Sequence, residues 1–231
     1  MTLHRIGETS RPSAGALRLV EARTSHPITV AAAPYAEAVT AHCPYLRASL
    51  DGGLNGWTVY EIASDDTDAV EAEVFWACVQ AAEWVRPLTA RGRGAFVCEN
   101  VVITGRINAV PHRRLMGWPH WALKHLYGAV GLMIGKFGEG ESTEDGQGRR
   151  IPAPPFSFLP VRPAVRPVDP RFLHATPTLA GTVATSADDG RDVFAPFPAP
   201  DWKAVKAWSS SLPAPLTPTP RPRKPAEAPS S

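Results

Sequence analysis

The chain has 231 residues and a formal net charge of +2, from 24 basic and 22 acidic side chains, so it lacks the basic surface typical of nucleic-acid binders. No apolar run approaches the length of a membrane span, and residues 1–15 lack the apolar stretch of a secretory signal. Three cysteines without C-x-x-C spacing favour reduced thiols, and we therefore expect a cytoplasmic protein without a nucleic-acid or membrane partner.

The first half of the chain predicts two helices and a strand. Residues 1–16 form a flexible lead-in, and a helix over about 35–42 ends at Cys43-Pro44, because the residue before a proline avoids the α region. A strand is expected over 57–62, which is rich in β-formers. Asp68 has the character of an N-cap, and apolar residues at helical spacing continue from it until the residue before Pro87.

The second half predicts strands around one further helix. Residues 95–104 are almost all apolar or β-branched, which favours a strand, or a tight strand pair around Glu99-Asn100, covered on both faces. A helix begins at Pro119 and ends near two glycines, and a short buried strand follows at 132–134. Prolines alternate through 156–168, which is typical of an edge strand or an extended arm. This order predicts an α+β fold: a mainly antiparallel sheet with two helices packed on one face.

Proline content separates the domain from a tail. Of 25 prolines, 18 lie from Pro152 onward and ten lie in the last 36 residues. Proline cannot donate to helix interiors or sheet ladders. We therefore predict a single domain over 17–176 and a proline-rich, largely disordered tail over 177–231. P-x-x-P spacing near the end of the tail could recruit a protein partner.

The helix after Pro119 carries the candidate catalytic residues His120, Lys124 and Tyr127. Their spacing of four and then three residues places an imidazole, an ammonium and a phenol on one helical face. Such a set could bind an anion or transfer protons. The alternative is the solvated polar face of an amphipathic helix.

Two arginines are candidate substrate-binding residues. Arg162 and Arg166 are four residues apart, so in an extended segment they share a face and could hold a carboxylate or phosphate. The alternative is surface charge that keeps an edge strand soluble.

Three residues are candidate cofactor ligands. Cys43 lies at the predicted end of the first helix, beside His42, and His112 lies in the loop before the third helix. Cysteine thiolate and histidine are both axial haem ligands, whereas structural or reactive thiol roles are the alternatives for Cys43. No zinc, P-loop, dinucleotide or nucleophile-elbow motif is present in the sequence.

Several short motifs carry a family resemblance over roughly residues 40–175. They are Cys43-Pro44-Tyr45, His120-x-x-Leu123-Lys124, the Gly131–Phe137 run GLMIGKF, Arg166, and Asp169-x-x-Phe172-Leu173. Together they resemble an uncharacterised actinobacterial domain family that occurs near natural-product genes. A remoter similarity in size and element order is to the YqcI/YcgG-type haem proteins, which hydroxylate nitrogen in amino-acid-derived metabolites. That likeness implies a haem cofactor.

Two functions follow as hypotheses. The first is an intracellular bacterial enzyme of specialised metabolism that acts on a small anionic or amino-acid-like substrate, with a haem-dependent oxygenase as one form. The second is a non-catalytic accessory protein that recruits a partner through its domain and proline-rich tail.

Overall fold

A computed structural model describes residues 15–107, 110–145, 147–198 and 201–215. The strands are β1 Leu17–Thr24, β2 Asn55–Ile62, β3 Cys98–Thr104, β4 Leu132–Ile134, β5 Thr143–Glu144, β6 Arg150–Ile151 and β7 Ser157–Pro163. The α-helices are α1 Ala32–Val39, α2 Pro44–Asp51, α3 Thr67–Val85, α4 His112–Leu115, α5 Gly117–Tyr127, α6 Pro177–Ala184 and α7 Trp202–Ser211. Short 3-10 turns occupy Arg86–Leu88, Gly94–Phe96, Gly128–Val130 and Asp169–Leu173.

The main sheet has five strands in the order β1-β2-β3-β7-β4, and β5 and β6 form a separate two-stranded ribbon. The pairing of β2 with β3 is parallel, and α3 lies in the connection between these two strands. The other pairs in the sheet are antiparallel. The predicted α+β class with a mainly antiparallel sheet is therefore confirmed. Within the described ranges, no helix combines the length and the apolar character needed to cross a bilayer.

One face of the sheet is covered by α3 and α5, as the sequence predicts. The α3 helix begins where the Asp66 carboxylate accepts hydrogen bonds from the backbone N–H groups of Asp68 and Ala69, at 3.0 and 3.1 Å. The N-cap is thus Asp66, two residues earlier than expected. Apolar residues of both helices form the largest core with Val101 and Ile103 of β3.

The opposite face of the sheet has a core of its own. Residues of α1, among them Tyr35, pack there on Trp57 and Val59 of β2 and on Phe158 of β7. The two cores explain why residues 95–104 are apolar in nearly every position. Val102 faces one core and its neighbours face the other, so both faces of β3 are covered.

Two local predictions are wrong. The helix predicted to end at Cys43-Pro44 ends earlier, at Val39. A new helix, α2, starts at Cys43-Pro44, with Cys43 as N-cap and Pro44 in its first turn. Nor is β7 an edge strand, since β3 and the three-residue β4 pair with its two sides. Pro160 lies inside the sheet, where it cannot donate a hydrogen bond, but its carbonyl oxygen accepts one from the N–H of Gly135, at 2.9 Å.

The packed structure continues beyond the boundary predicted at residue 176. Leu179 and Val183 of α6 are buried against Leu173. Trp202 of α7 packs on Phe75 of α3 with 4.9 Å between ring centroids. Residues 177–198 and 201–215 therefore include parts of the core and not only an irregular tail, because these few apolar side chains suffice to dock proline-flanked helices. Residues 1–14 and the P-x-x-P segment over 216–231 lie outside the described residues.

Replacing Trp202 by alanine tests this extension of the core. Because Trp202 is 7% exposed, we expect a loss of roughly 3–5 kcal/mol in the free energy of unfolding. Denaturant unfolding followed by circular dichroism measures this loss. The exposed Trp118, at 39%, provides the control substitution W118A, which should cost less than about 1 kcal/mol. Equal effects of the two variants would contradict the docking of α7.

Candidate functional site

A cavity of about 440 Å³ lies on the sheet face that also carries the second core. Its walls come from the sheet, from α1, α2 and α5, and from the residues that follow β4. A volume of this size suits a small organic molecule. It is lined by both apolar and cationic side chains, and the strand register explains how they are arranged.

Three rows of side chains cross the sheet beneath the cavity. The first row is apolar: Val59, Val102, Phe158 and Phe137. The second joins Trp57, Asn100 and Pro160 to Gly135. In the third row Asn55 pairs with Cys98, and Arg162 pairs with Met133. Glu99 pairs with Val161 in an antiparallel register, so the next residue, Arg162, lies opposite Cys98. Because alternate residues of a strand share a face, the floor changes from apolar to polar and basic in three steps.

Aromatic rings enclose the apolar end. The rings of Phe137 and Phe158 are stacked with centroids 4.9 Å apart. Tyr35 and Trp57 contact Phe158 at centroid distances of 5.9 and 5.7 Å. Burial raises the pKa of Tyr35 to about 12, so the phenol is neutral at physiological pH. Such an end suits a planar, apolar group.

Two buried polar groups on the cavity wall lack partners. Asn100 donates through Nδ2 to the Gly56 carbonyl at 2.8 Å and to Oδ1 of Asn55 at 3.1 Å. This network orients the Asn55 amide and leaves its Nδ2 without a hydrogen-bond partner among the described residues. Oγ of Ser49 also has no partner among them. Both residues are less than 5% exposed. Buried polar atoms are almost always paired, so these two atoms are available to pair with water or with a ligand in the cavity.

Arg162 forms a bidentate ion pair with Asp169 at the basic end. Its Nη1 and Nη2 donate to the carboxylate at 2.8 and 2.7 Å, and Asp169 is almost fully buried. Burial alone would lower the pKa of Arg162, but the hydrogen bonds and charge of Asp169 raise it. The pair uses the end of the guanidinium. The side edge, formed by Nε–H and the second Nη2–H, has no partner in the part of the chain that the structure describes. This edge can hold a carboxylate with two parallel hydrogen bonds.

Lys124 is a cation in the cavity that forms no ion pair with the residues that the structure describes. Its Nζ forms no hydrogen bond or ion pair with any described residue. Burial, and then the charge of Lys136, lower its pKa to about 8, against a weaker opposing effect of Asp169. Lys136 also lines the cavity, and burial followed by the charge of Arg113 lowers its pKa. An anion in the cavity would relieve this concentration of positive charge.

His120 lies one helical turn before Lys124 and also lines the cavity. Burial lowers its pKa well below the ordinary value, and the charges of Lys124 and Lys136 lower it further. The imidazole is therefore neutral at pH 7. In this form one ring nitrogen donates a hydrogen bond and the other can accept a proton.

The structure does not bring Tyr127 to this site. Its side chain is fully buried in the first core, and its hydroxyl donates to Oε1 of Glu83 at 2.8 Å. Tyr127 shares a helical face with His120, but seven residues of rise carry it about 10 Å along the helix. At that height the same face lies against the end of α3. Sequence spacing identifies the face correctly but cannot show where along the helix its surroundings change.

The other predicted residues divide in the same way. Arg162 lines the cavity. Arg166 is exposed and lies beyond the end of β7, so the two arginines do not share a face of the strand. Cys43 lines the cavity, whereas Nδ1 of His42 is 3.0 Å from the Asp145 carboxylate. His112 lies in a separate hollow, where its Nε2 is 2.8 Å from the Gly105 carbonyl oxygen.

Cys43, His42 and His112 are alternatives for a single axial haem ligand, and the structure places them apart. Cys43 faces the cavity, which Lys124, Lys136 and Arg162 also line. No cluster of three or more His, Cys, Asp or Glu side chains placed to bind a metal occurs among the described residues.

Sequence reasoning missed the neutral part of the site. Ser49, Asn55 and the aromatic wall were not singled out, because each reads as a core or turn residue when taken alone. Alternation in 55–57 and 98–100 places Asn55, Cys98 and Asn100 on one face of the sheet, but it gives no signal for Ser49 in α2. A Cβ at Gly135 would lie 2.8 Å from the Pro160 ring, so glycine permits the close approach of β7 there.

In comparisons with family models, with curated proteins and with solved structures, the chain matches none. The resemblance to the actinobacterial family and to the haem proteins therefore stays a prediction.

The pH dependence of stability tests the burial of Lys124. Below pH 8 the folded protein bears the full cost of the buried ammonium, so Lys124→Met should raise the free energy of unfolding by roughly 1–3 kcal/mol. Between about 8 and the ordinary value of 10.5 the folded protein releases this proton while the unfolded chain retains it, so the native protein regains stability and the difference shrinks. Denaturant unfolding at pH 6, 8 and 10 measures this trend. The exposed Lys203→Met should show no such trend, and a pH-independent difference for Lys124→Met would contradict the assignment.

Asp169→Asn tests the buried ion pair. The substitution leaves the Arg162 charge uncompensated in a half-buried site, so we expect a loss of about 3 kcal/mol in the free energy of unfolding. Asp189 also accepts two hydrogen bonds from one arginine, Nε and Nη2 of Arg191, but both side chains are 53% exposed. The matched control Asp189→Asn should cost less than about 1 kcal/mol. Similar losses for the two variants would show that burial does not strengthen the Arg162 pair.

Proposed function

We propose that this protein is an enzyme of specialised metabolism that acts on a small, amino-acid-like carboxylate with a planar apolar body. The observation that carries the proposal is a cavity lined by Lys124 and by the Arg162 edge, both without a partner among the described residues, and by the stacked rings of Phe137 and Phe158. The placement in specialised metabolism rests on the family resemblance described above.

The polarity of the cavity supports this class of ligand. A carboxylate would accept hydrogen bonds from the Arg162 edge and reduce the repulsion among the cavity cations. The body of the ligand would extend over Asn100 and Pro160 toward Phe137 and Phe158. The unpaired Asn55 amide could donate to a further oxygen atom of the ligand, which favours a substituted acid over a plain hydrocarbon acid.

Chemically competent side chains support an enzyme over a simple binding protein. His120 supplies a neutral imidazole, and Lys124 supplies an amine whose pKa of about 8 allows both protonation states near physiological pH. Cys43 contributes a thiol to the same cavity. Groups whose pKa is shifted by burial and by neighbouring charges, gathered in one cavity, are characteristic of catalytic sites.

Binding of a matched pair of ligands tests the proposal. Isothermal titration calorimetry at pH 7 compares 3-phenylpropanoate with its neutral amide, which has the same shape. Charge-assisted hydrogen bonds contribute roughly 1.5–3 kcal/mol, so the acid should bind at least tenfold more tightly than the amide. In Lys124→Met the preference for the acid should fall, whereas Lys203→Met, on the exposed surface, should leave it unchanged.

Two results would contradict the proposal. One is equal affinity for the acid and the amide, which would show that the cations of the cavity do not distinguish a charged ligand from a neutral one. The other is undiminished binding of the acid by Lys124→Met, which would place the ligand elsewhere. A change in the chemical shift of the Trp57 indole on addition of the acid, measured by nuclear magnetic resonance, locates the bound ligand independently of any variant.

A further inference from the structure

We propose that Nζ of Lys124 is a nucleophile that forms an imine with the carbonyl carbon of an aromatic 2-oxo acid, whose carboxylate is held by the free edge of Arg162. This inference rests on the proposed function and names the substrate class and the reacting atom. It stands on the position of Lys124 in a partly aromatic cavity, where Nζ has no hydrogen-bond partner among the described residues.

Two side chains would contact the two reactive groups of a 2-oxo acid: Arg162 the carboxylate, and Lys124 the carbonyl carbon. The Arg162 edge offers two parallel N–H donors, which match the two oxygens of a carboxylate. Besides burial, the positive charge of Arg162 lowers the pKa of Lys124, and the negative charge of Asp169 raises it. In a 2-oxo acid the carbonyl carbon is bonded directly to the carboxylate carbon. A carboxylate held by the Arg162 edge would therefore leave the carbonyl carbon inside the cavity that Lys124 also lines.

The aromatic end specifies the rest of the molecule. The stacked rings of Phe137 and Phe158, with Trp57 beside them, favour a planar side chain on the 2-oxo acid. The Asn55 Nδ2 atom, buried and unpaired, provides a donor for the carbonyl oxygen or for the hydroxyl that replaces it.

The reaction balances without an oxidant or a cofactor. The neutral amine attacks the carbonyl carbon, the C–N bond forms, and a proton passes from nitrogen to oxygen to give a carbinolamine. Loss of that hydroxyl as water breaks the C–O bond and leaves the imine. The neutral imidazole of His120, one turn away on the same helix, can carry the proton between the two atoms.

The surroundings favour the reactive form of the amine. Burial and the adjacent charge of Lys136 lower the pKa of Lys124 to about 8, so half of the amine is neutral at that pH. A lysine that is desolvated beside another cation is a known arrangement for imine-forming nucleophiles. Lys203, which is exposed on α7, has neither feature and serves as the matched comparison.

Reductive trapping of the full chain tests the inference. The protein is incubated with phenylpyruvate and sodium cyanoborohydride at pH 8, and the product is analysed by intact mass and peptide mapping. We expect a mass increase equal to phenylpyruvate less one oxygen atom, located on Lys124. Lys124→Arg, which keeps the charge, should reduce the adduct at least tenfold, whereas Lys203→Arg should leave it unchanged. The rate of trapping should rise with pH to a midpoint of about 8.

An adduct on Lys136, or spread evenly over surface lysines, would overturn the assignment. Peptide mapping of the native chain gives this result even if Lys124→Arg folds poorly. Failure of the inference is distinguishable from failure of the proposed function, because 3-phenylpropanoate has no carbonyl carbon to attack. Binding of that acid without trapping of phenylpyruvate on Lys124 would retain the proposed function and remove the imine.

Discussion

The alternation of side chains along β2, β3 and β7 is the constraint on which the rest of the structure depends. Both faces of these strands are covered, so every second residue must suit one core and the residues between must suit the other. A shift of one residue in register would exchange Val101 with Asn100 and place the cavity floor against α3. The same pairing that fills two cores therefore aligns Asn55, Cys98 and Arg162 at one end of a cavity.

The fold is predictable from sequence where one signal dominates. The apolar stripe of α3 and the run 95–104 are long and unambiguous, and both elements form. The Cys43-Pro44 dipeptide is ambiguous because proline both ends one helix and suits the first turn of the next, and only tertiary packing decides between them. Proline density after Pro152 likewise suggests disorder, yet Trp202 and a few other apolar side chains are enough to dock helices.

The site is predictable only in part, because sequence spacing identifies a helical face and not what covers it. His120 and Lys124 were found from their spacing, whereas the same spacing included Tyr127, which lies under the end of α3. Asn55 depends on strand register, which no local pattern determines. The unpaired edge of Arg162 depends on Asp169, seven residues later, taking the other end of the guanidinium.

The docking of α7 has a consequence for biosynthesis. Trp202 covers Phe75, and Nε1 of Trp121 donates to the Ser209 carbonyl at 3.0 Å, so the two helices of the first layer are sealed by residues synthesised last among those described. At ordinary translation speeds, roughly ten seconds pass between the emergence of α3 and that of α7. During this interval the apolar surface around Phe75 that α7 later covers stays exposed, so folding of the first layer is completed only after α7 has emerged.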